Sequence, residues 1–365
     1  MQKLSVCILL FFVLAENTFA QKPKYYQIKG NITASDTKLP LQGASVFAEN
    51  TTLGTVTDEQ GNFSFWLPEG GYDMAVSFTG YQTQSQHISN GVPAELIISL
   101  AVKQKEMQEV SIVSTGEVKD GWQKYGNFFL GEFLGNTPNR KLCNLQNTEA
   151  LHFFYSKRKD RLKVLAKDPL RIENKALGYL ITYELDSFIY EYKTTNALYS
   201  GVPKFDTLVP ENPAQMETWK QNRETAYYGS VLHFMRSLYK QELSDEGYEL
   251  KEIDQADNIN PIETKDMYRW LKFTKNENGL FTIQPSKNNM GVLYNLEAPA
   301  TEYLKENPET PNKEFQYSKI SFTANQPITI ESNGYYYPQQ DLIINDYWEW
   351  TRMADMLPYN YLVEE

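Results

Sequence analysis

The sequence predicts a mainly β chain with a further α+β part. A small seven-stranded β-sandwich is expected at residues 24–101, and a larger domain with an antiparallel sheet and one long helix at residues 122–365. Two observations support this prediction. Apolar and polar residues alternate in short segments separated by glycine and proline, as in half-buried strands. One long segment instead repeats its apolar residues at helical spacing. A chain of 365 residues has room for about two domains.

Composition restricts the class of protein. Hydrophobic residues make up 41% of the chain and aromatic residues 14%, which is enough to build packed cores. The 25 tyrosines suit strand faces that are partly wet and partly buried. The net charge of −11 argues against nucleic acid as the main partner, because phosphate binding needs clustered Lys and Arg.

The first twenty residues have the features of a signal peptide. Lys3 supplies a positive charge, residues 4–15 are uncharged and apolar, and Ala20 gives a small residue for cleavage. The alternative of a membrane anchor is disfavoured, because the apolar run is shorter than the ~20 residues of a spanning helix. Acylation at Cys7 is disfavoured because Val6, which precedes it, is not small. We therefore expect an exported mature chain, cleaved after Ala20, without a transmembrane segment, in the periplasm or associated with the outer membrane.

Removal of the signal peptide would leave Cys143 as the single cysteine, so no internal disulfide is expected. One hypothesis makes Cys143 a reactive nucleophile. The alternating pattern of residues 141–145 instead favours a small buried apolar side chain.

The elements of the sandwich follow from period-two alternation. Asp58 and Gly61 occupy the first and fourth positions of a tight turn, which predicts a hairpin. Residues 68–71 connect the next pair of strands, and Gly80-Tyr81 marks a further reversal. The predicted strands include Tyr26–Gly30, Ala44–Ala48, Thr55–Thr57, Asn62–Leu67, Tyr72–Phe78 and Leu96–Leu100.

A family resemblance rests on this same segment. The residues that carry it are Gly30, Pro40-Leu41, Gly43-Ala44, Val46, Gly54-Thr55, Thr57-Asp58, Gly61, Phe63, Phe65, Pro68, Gly70, Phe78 and Gly80-Tyr81. They resemble the carboxypeptidase-regulatory-like domain, which implies a transthyretin-like sandwich. Residues 107–114 are similar to the strand that follows this domain in TonB-dependent outer-membrane receptors of Bacteroidetes. Only about 250 residues remain, which is too few for a plug and a barrel of about 22 strands.

The peptidase chemistry suggested by the family name is not expected. Zinc carboxypeptidases bind their metal through a His-x-x-Glu pair and a distant His. The chain has three histidines, His87, His152 and His233, and none begins such a pair. We therefore predict no metal site, no cofactor and no catalytic residues of this class.

The second domain follows a short linker at residues 102–121. Tyr125, Phe129 and Phe133 recur at helical spacing within residues 122–134, and Pro213–Leu243 is predicted to be the one long helix. The charged residues 302–312 predict a loop. Predicted strands are Leu151–Tyr155, Leu162–Ala166, Gly178–Tyr192 with a break at Asp186-Ser187, Ala197–Leu208, Tyr248–Ile253, Leu280–Ile283, and a terminal pair, Phe315–Thr323 and Pro327–Ser332.

This domain is also similar to a recurrent exported family of Bacteroidetes that has no established activity. The resemblance is carried by residues 134–137, Cys143, residues 169–174, 177–179, 227–230, 233–234, 236–238 and 333–335, and by the closing segments 347–350 and 354–358. This resemblance implies that the protein belongs to the cell envelope and says little about its mechanism.

Two sets of residues are candidates for chemistry or binding. His233 with second-domain carboxylates drawn from Glu184, Asp186 and Glu191 would suit a hydrolase of unrecognised type, whereas a hydrogen-bonded structural histidine is favoured. The second set could stack on sugar rings, or could instead close the second core. Its members are Tyr335, Tyr336, Tyr337, Trp348 and Trp350.

The sequence therefore favours a non-catalytic exported envelope protein. Its partner would be a glycan, a peptide or an envelope protein, and the alternatives are the hydrolase and a structural accessory of an outer-membrane transporter. No nucleic-acid partner is expected.

Overall fold

The computed structural model describes residues 24–89, 95–103, 116–253, 259–262, 266–277, 280–285, 289–323 and 326–363. The predicted signal peptide and the predicted strand at residues 107–114 lie outside these ranges. The chain is mainly β and contains several separate sheets. Within the described residues, no helix combines the length and the apolar composition that crossing a membrane requires.

The N-terminal part is the predicted seven-stranded sandwich. One sheet has the strand order β4-β1-β7 and the other has the order β3-β2-β5-β6. β1 pairs antiparallel with β4 and parallel with β7. Alternate residues of β1, including Ile28 and Ile32, are fully buried between the sheets, as the period-two pattern requires. The strands are β1 (Tyr25–Ala34), β2 (Ser45–Ala48), β3 (Gly54–Val56), β4 (Asn62–Pro68), β5 (Tyr72–Ser77), β6 (Gln84–Ile88) and β7 (Glu95–Leu100).

The turn predicted between β3 and β4 is present and depends on Asp58 and Gly61, but the predicted hairpin is wrong because β3 pairs with β2 and β4 pairs with β1 in the other sheet. The Asp58 carboxylate accepts hydrogen bonds from the backbone N–H groups of Gln60 and Asn62. Gly61 has a φ of +76°, and a Cβ at this position would lie 2.4 Å from the carbonyl oxygen of Ile32. Glycine is therefore required here for both its backbone conformation and its small size.

The next part of the chain builds a six-stranded antiparallel sheet with one helix packed on it. The order is β8-β11-β12-β10-β9, and β13 runs along the other edge of β12. Helix α1 buries Tyr125, Phe129 and Phe133 against this sheet. Its elements are α1 (Gly121–Leu134), β8 (Cys143–Leu145), β9 (Leu151–Ser156), β10 (Arg161–Ala166), β11 (Leu170–Asn174), β12 (Tyr179–Glu191) and β13 (Asn196–Thr207).

β12 is continuous through the predicted break. The register of β12 against β13 shifts between Leu185 and Ser187, so Asp186 forms a β-bulge and does not end the strand. Two adjacent polar residues, Asp186 and Ser187, give a bulge the same sequence pattern as a turn.

The remaining strands form two further sheets. A five-stranded sheet has the order β15-β14-β18-β19-β22, and a four-stranded sheet has the order β16-β17-β20-β21. These strands are β14 (Tyr248–Ile253), β15 (Ile259–Pro261), β16 (Thr274–Lys275), β17 (Phe281–Ile283), β18 (Asn289–Tyr294), β19 (Gln316–Phe322), β20 (Ile328–Ile330), β21 (Tyr336–Tyr337) and β22 (Leu342–Asp346).

Three sequence predictions for this part need correction. The proposed terminal strand pair exists as β19 and β20, but these strands belong to different sheets because β19 pairs with β18 and β22. The charged loop at residues 302–312 begins inside a short helix. The third correction concerns the single long helix at residues 213–243. The helices are α2 (Pro213–Tyr227), α3 (Val231–Lys240), α4 (Met267–Trp270), α5 (Thr301–Glu306) and α6 (Tyr347–Trp350).

The predicted long helix is divided at Gly229. The helix ends at Tyr227 because Tyr228 is already extended, with a ψ of 134°. Gly229 then turns the chain with a φ of +75°, and Ser230 caps α3 by accepting a hydrogen bond from the N–H of His233. A Cβ at residue 229 would lie 2.5 Å from Oε1 of Gln316 and 2.7 Å from the Tyr294 ring. The helical spacing of the apolar residues continues through the turn, so periodicity alone does not reveal the division.

Three clusters of buried side chains form the cores. One lies within the sandwich, one joins α1 to the six-stranded sheet, and one joins α3 to the five- and four-stranded sheets. Each fully buried Leu, Ile or Phe in such a cluster contributes roughly 1.5–3 kcal/mol to stability.

The sandwich is joined to the rest of the chain by main-chain hydrogen bonds. In the turn after β2, the N–H of Asn50 donates to the carbonyl of Pro203, and Thr51 accepts from the N–H of Phe205, at 2.7 and 3.0 Å. The N–H of Tyr359 donates to the carbonyl of Asn50 at 2.7 Å. The turn therefore lies between the edge of β13 and the segment at residues 359–361.

Candidate functional site

The five aromatic residues predicted to bind a ligand lie in different places in the structure. Tyr335 lies between the sandwich and the rest of the chain. The Tyr335 hydroxyl donates to Asp73 Oδ2 at 2.6 Å, and the Tyr335 ring stacks on His87 with centroids 5.3 Å apart. Tyr337 lies on the same imidazole at 4.3 Å. His87 Nδ1 is 3.0 Å from Asp73 Oδ1. Burial acts to raise the pKa of Asp73, but the hydrogen bonds from His87 and Tyr335 outweigh it and lower the pKa.

The two tryptophans lie elsewhere. Trp348 is 6% exposed, packs on Phe234 and donates from Nε1 to the carbonyl of Gly229 at 2.6 Å. Trp350 packs on Tyr303 and donates to Glu306. Tyr336 is half-buried beside the same core as Trp348. The structure thus joins Tyr335 to Tyr337 and separates them from Trp350, and the hypothesis that all five rings bind one ligand stays a prediction.

His233 is buried at the start of α3 and has partners at both ring nitrogens. Nδ1 accepts from the N–H of Gly229 at 3.2 Å and lies 2.9 Å from the Tyr248 hydroxyl. Nε2 lies 3.1 Å from Glu246 Oε2. Because Nδ1 accepts a hydrogen bond, we assign the ring proton to Nε2, and the Nε2–H group donates a hydrogen bond to the Glu246 carboxylate. Ring contacts are also made by Tyr227, Tyr228 and Tyr294.

The burial and the hydrogen-bond partners of His233 limit the acid–base chemistry that it can perform. The residue is 3% exposed, and its burial lowers the pKa of the imidazole, although the Glu246 carboxylate acts in the opposite direction. A carboxylate partner for His233 therefore exists, supplied by Glu246 and not by β12. Through its hydrogen bonds, the neutral ring connects the turn at Gly229 to Glu246 in the segment that follows α3. A general base needs a ring nitrogen that is open to substrate, and both nitrogens of His233 already have partners.

The three carboxylates proposed from β12 are also placed. Glu184 accepts a hydrogen bond from Thr83 of the sandwich, and Glu191 pairs with Arg161 at 3.3 Å. Asp186 is exposed at the bulge. Burial raises the pKa of Glu49 in the sandwich to about 7, and the nearby charges of Asp73, Asp186 and Glu184 act in the same direction.

Cys143 is half-buried in β8. Burial raises the pKa of its thiol to about 12, and the Asp355 carboxylate adds to the effect. A thiol with this pKa is almost wholly protonated near neutral pH and is a poor nucleophile.

A cleft of about 360 Å³ lies where the linker reaches α1 and β9. Glu117 pairs with Phe154 as an isolated bridge, so the linker extends the edge of β9. His152 Nδ1 lies 2.9 Å from Glu117 Oε1, and both side chains are close to half-exposed. Trp122 borders the cleft. Among the residues that the structure describes, no three His, Cys, Asp or Glu side chains are grouped as a metal ion would need.

Sequence reasoning missed this cleft and the contacts of His87. Glu117 and His152 are 35 residues apart, and His87 lies on β6 whereas Tyr335 lies just before β21, so no local motif marks either pair. The one available signal was that His152 alternates with the buried Leu151 and Phe153 and therefore faces away from the core.

Comparison with known families adds to this geometry. Residues 28–112 match the CarboxypepD_reg-like domain. This agrees with the predicted resemblance and covers the sandwich.

The matched curated relatives are similar to about a third of the chain. TonB-dependent receptor SusC from Bacteroides thetaiotaomicron is 32% identical over 119 residues, which cover 33% of this chain. TonB-dependent receptor P3 from Formosa agariphila is 26% identical over 112 residues, or 31% of this chain. In each case the matched segment covers 11% of the receptor.

A solved DUF3823 family protein from Bacteroides ovatus shares 8% identity and has a TM-score of 0.19, over 52% of this chain and 83% of that protein.

Proposed function

We propose that this protein is an exported, non-catalytic envelope protein that acts by binding a glycan, a peptide or an envelope protein. The observation that carries the proposal is the CarboxypepD_reg-like domain at residues 28–112, and the similarity of about a third of the chain to TonB-dependent receptors supports it. The burial of His233 and the raised pKa of the Cys143 thiol further support a role without a side-chain nucleophile or base.

The proposal is tested by location. The full chain with a C-terminal tag would be produced in Bacteroides thetaiotaomicron, and cell fractions would be mapped by mass spectrometry. We expect the chain in the envelope fraction, with Gln21 as its first residue. A variant without residues 2–20 is the matched control and should stay in the cytoplasm. An uncleaved wild-type chain in the cytoplasm would contradict the proposal.

A second candidate function is that of an accessory to a transporter, which the similarity to TonB-dependent receptors favours. Trp66 is 57% exposed on the outer face of the β4-β1-β7 sheet and is a suitable position for a photo-crosslinking residue. A crosslink to a TonB-dependent receptor, identified by mass spectrometry, would support this function. If photo-crosslinking residues at Trp66 and at the exposed Tyr25 both gave no crosslink to such a receptor, the result would argue against the accessory function.

A further inference from the structure

The cleft beside α1 has the dimensions and the mixed lining of a small-ligand site. Its volume of about 360 Å³ lies at the lower end of the range for ligand pockets. Val118, Leu151 and Phe153 supply apolar walls, and Thr148 and Gln123 add polar groups. A cleft of this size holds one or two rings of a ligand.

The indole of Trp122 is held in place by its neighbour on the helix. A Cβ at residue 126 would lie 2.8 Å from the ring atoms Cδ2 and Cε3 of Trp122, so the ring occupies the space that Gly126 leaves empty. Phe153 contacts the ring from the β9 side, with centroids 6.4 Å apart. The half-buried Trp122 therefore offers a fixed aromatic surface at the border of the cleft.

Polar groups of both charges meet at the same place. His152 and Glu117 form a 2.9 Å pair in which Glu117 keeps a second carboxylate oxygen and His152 keeps Nε2, and neither atom has a recorded partner in the described part of the chain. Lys119 and Glu149 also line the cleft, so one ammonium group and two carboxylates border it. This mixture of hydrogen-bond donors and acceptors suits the hydroxyl groups of a ligand, each of which both donates and accepts.

We propose that this cleft binds a sugar ring of a neutral saccharide, which stacks on Trp122 and forms hydroxyl hydrogen bonds with His152 and Glu117. Stacking buries the apolar C–H face of the sugar on the indole, and the rim of the ring stays polar. This inference rests on the proposed binding function and names its ligand class. The site differs from the aromatic set predicted near the C-terminal end.

The test is calorimetric titration of the full chain with maltohexaose, cellohexaose, mannohexaose and xylohexaose. We expect at least one of these saccharides to bind. Trp122→Ala should weaken that binding by about tenfold or more, as expected for loss of a central aromatic contact. Trp66→Ala removes an equally large exposed indole from the sandwich and should leave the affinity unchanged. Glu117→Gln should weaken binding by about threefold to tenfold through one hydrogen bond.

The outcomes separate this inference from the proposed function. Failure of all four saccharides to bind would overturn the inference, and so would equal affinity of the wild type and Trp122→Ala. Binding of an envelope peptide alone would also overturn it, while the proposed function would stand. If Trp122→Ala does not fold, judged by its circular dichroism spectrum, Trp122→Phe and Glu117→Gln replace it, because Phe keeps an aromatic ring in the core and Gln keeps the size of the Glu side chain.

Discussion

Tyr335 and Asp73 are 262 residues apart in the sequence, yet the Tyr335 hydroxyl donates a 2.6 Å hydrogen bond to the Asp73 carboxylate. Asp73 lies on β5 of the sandwich, and Tyr335 lies just before β21. Asn333 adds a hydrogen bond from its amide nitrogen to the carbonyl of Gly71 at 2.9 Å. These contacts make the CarboxypepD_reg-like domain a fixed part of the larger structure.

Loss of the Tyr335 hydroxyl should weaken this attachment. Tyr335→Phe removes a buried hydrogen bond to a charged group, so we expect the free energy of unfolding to fall by about 1.5–3 kcal/mol. Urea unfolding near neutral pH measures the change. Tyr337→Phe is the matched control, since the Tyr337 hydroxyl has no recorded hydrogen-bond partner in the described residues, and it should cost less than about 0.5 kcal/mol. Equal losses in the two variants would refute the role of the bond to Asp73.

Stability should depend on pH through Glu49. Burial raises the pKa of Glu49 from an ordinary 4.5 to about 7 in the folded state. Between these pH values the folded chain keeps a proton that the unfolded chain has released. The contribution of Glu49 therefore lowers stability as pH rises from about 4.5 to about 7.

The variant Glu49→Gln isolates this contribution, because it cannot ionise. Urea unfolding across this pH range should show a flatter pH profile for the variant and a higher stability than wild type above pH 7. Asp73, whose pKa is lowered, contributes in the opposite sense at lower pH and remains in both proteins. Glu59→Gln, in the exposed turn after β3, is the control. An unchanged profile in Glu49→Gln would count against the assignment.

We expect His233 to stabilise the folded protein. His233→Ala removes hydrogen bonds at both ring nitrogens and leaves a cavity among tyrosine rings, so we expect a loss of about 2–4 kcal/mol. Glu246→Gln keeps an acceptor for Nε2 and should cost less than about 1 kcal/mol. Differential scanning calorimetry measures both. If the purified chain hydrolysed a substrate and Glu246→Gln abolished that turnover without loss of stability, the hydrolase alternative would replace the structural role.

The Cys143 thiol should be unreactive in the folded protein. With its pKa raised to about 12, labelling by iodoacetamide at pH 8 should be on the order of a hundredfold or more slower than in urea. Peptide mapping by mass spectrometry separates Cys143 from Cys7. Rapid labelling of the folded chain would show that the thiol is accessible and ionised.

Alternation predicted strands well because it reports one local property, the burial of every second side chain. Tyr179, Ile181 and Tyr183 on β12 are buried as the pattern requires. It did not reveal which strands pair, because β19 and β20 have the same local character and yet join different sheets. Partner choice depends on side chains that are distant in the sequence.

The site was harder to predict than the fold. An aromatic segment has the same composition whether its rings lie in a core, as Trp348 does, or between two parts of the chain, as Tyr335 does. The division of the predicted long helix depends on the extended backbone of Tyr228 and the positive φ of Gly229, which the surrounding helical spacing conceals. His152 and Glu117 meet only because the linker extends the edge of β9, and that pairing leaves no local signal.

The turn that carries Thr52 is held by Asn360, 308 residues further along the chain. At ordinary rates of synthesis, on the order of 15 to 60 seconds separate the two residues as they leave the ribosome. A sandwich that had already folded would spend this interval with the turn that carries Thr52 exposed to solvent. Termination of synthesis after β7 but before residue 360 would thus leave a complete set of sandwich strands without the hydrogen bonds from Asn360, and we expect cellular proteases to cleave the exposed turn first.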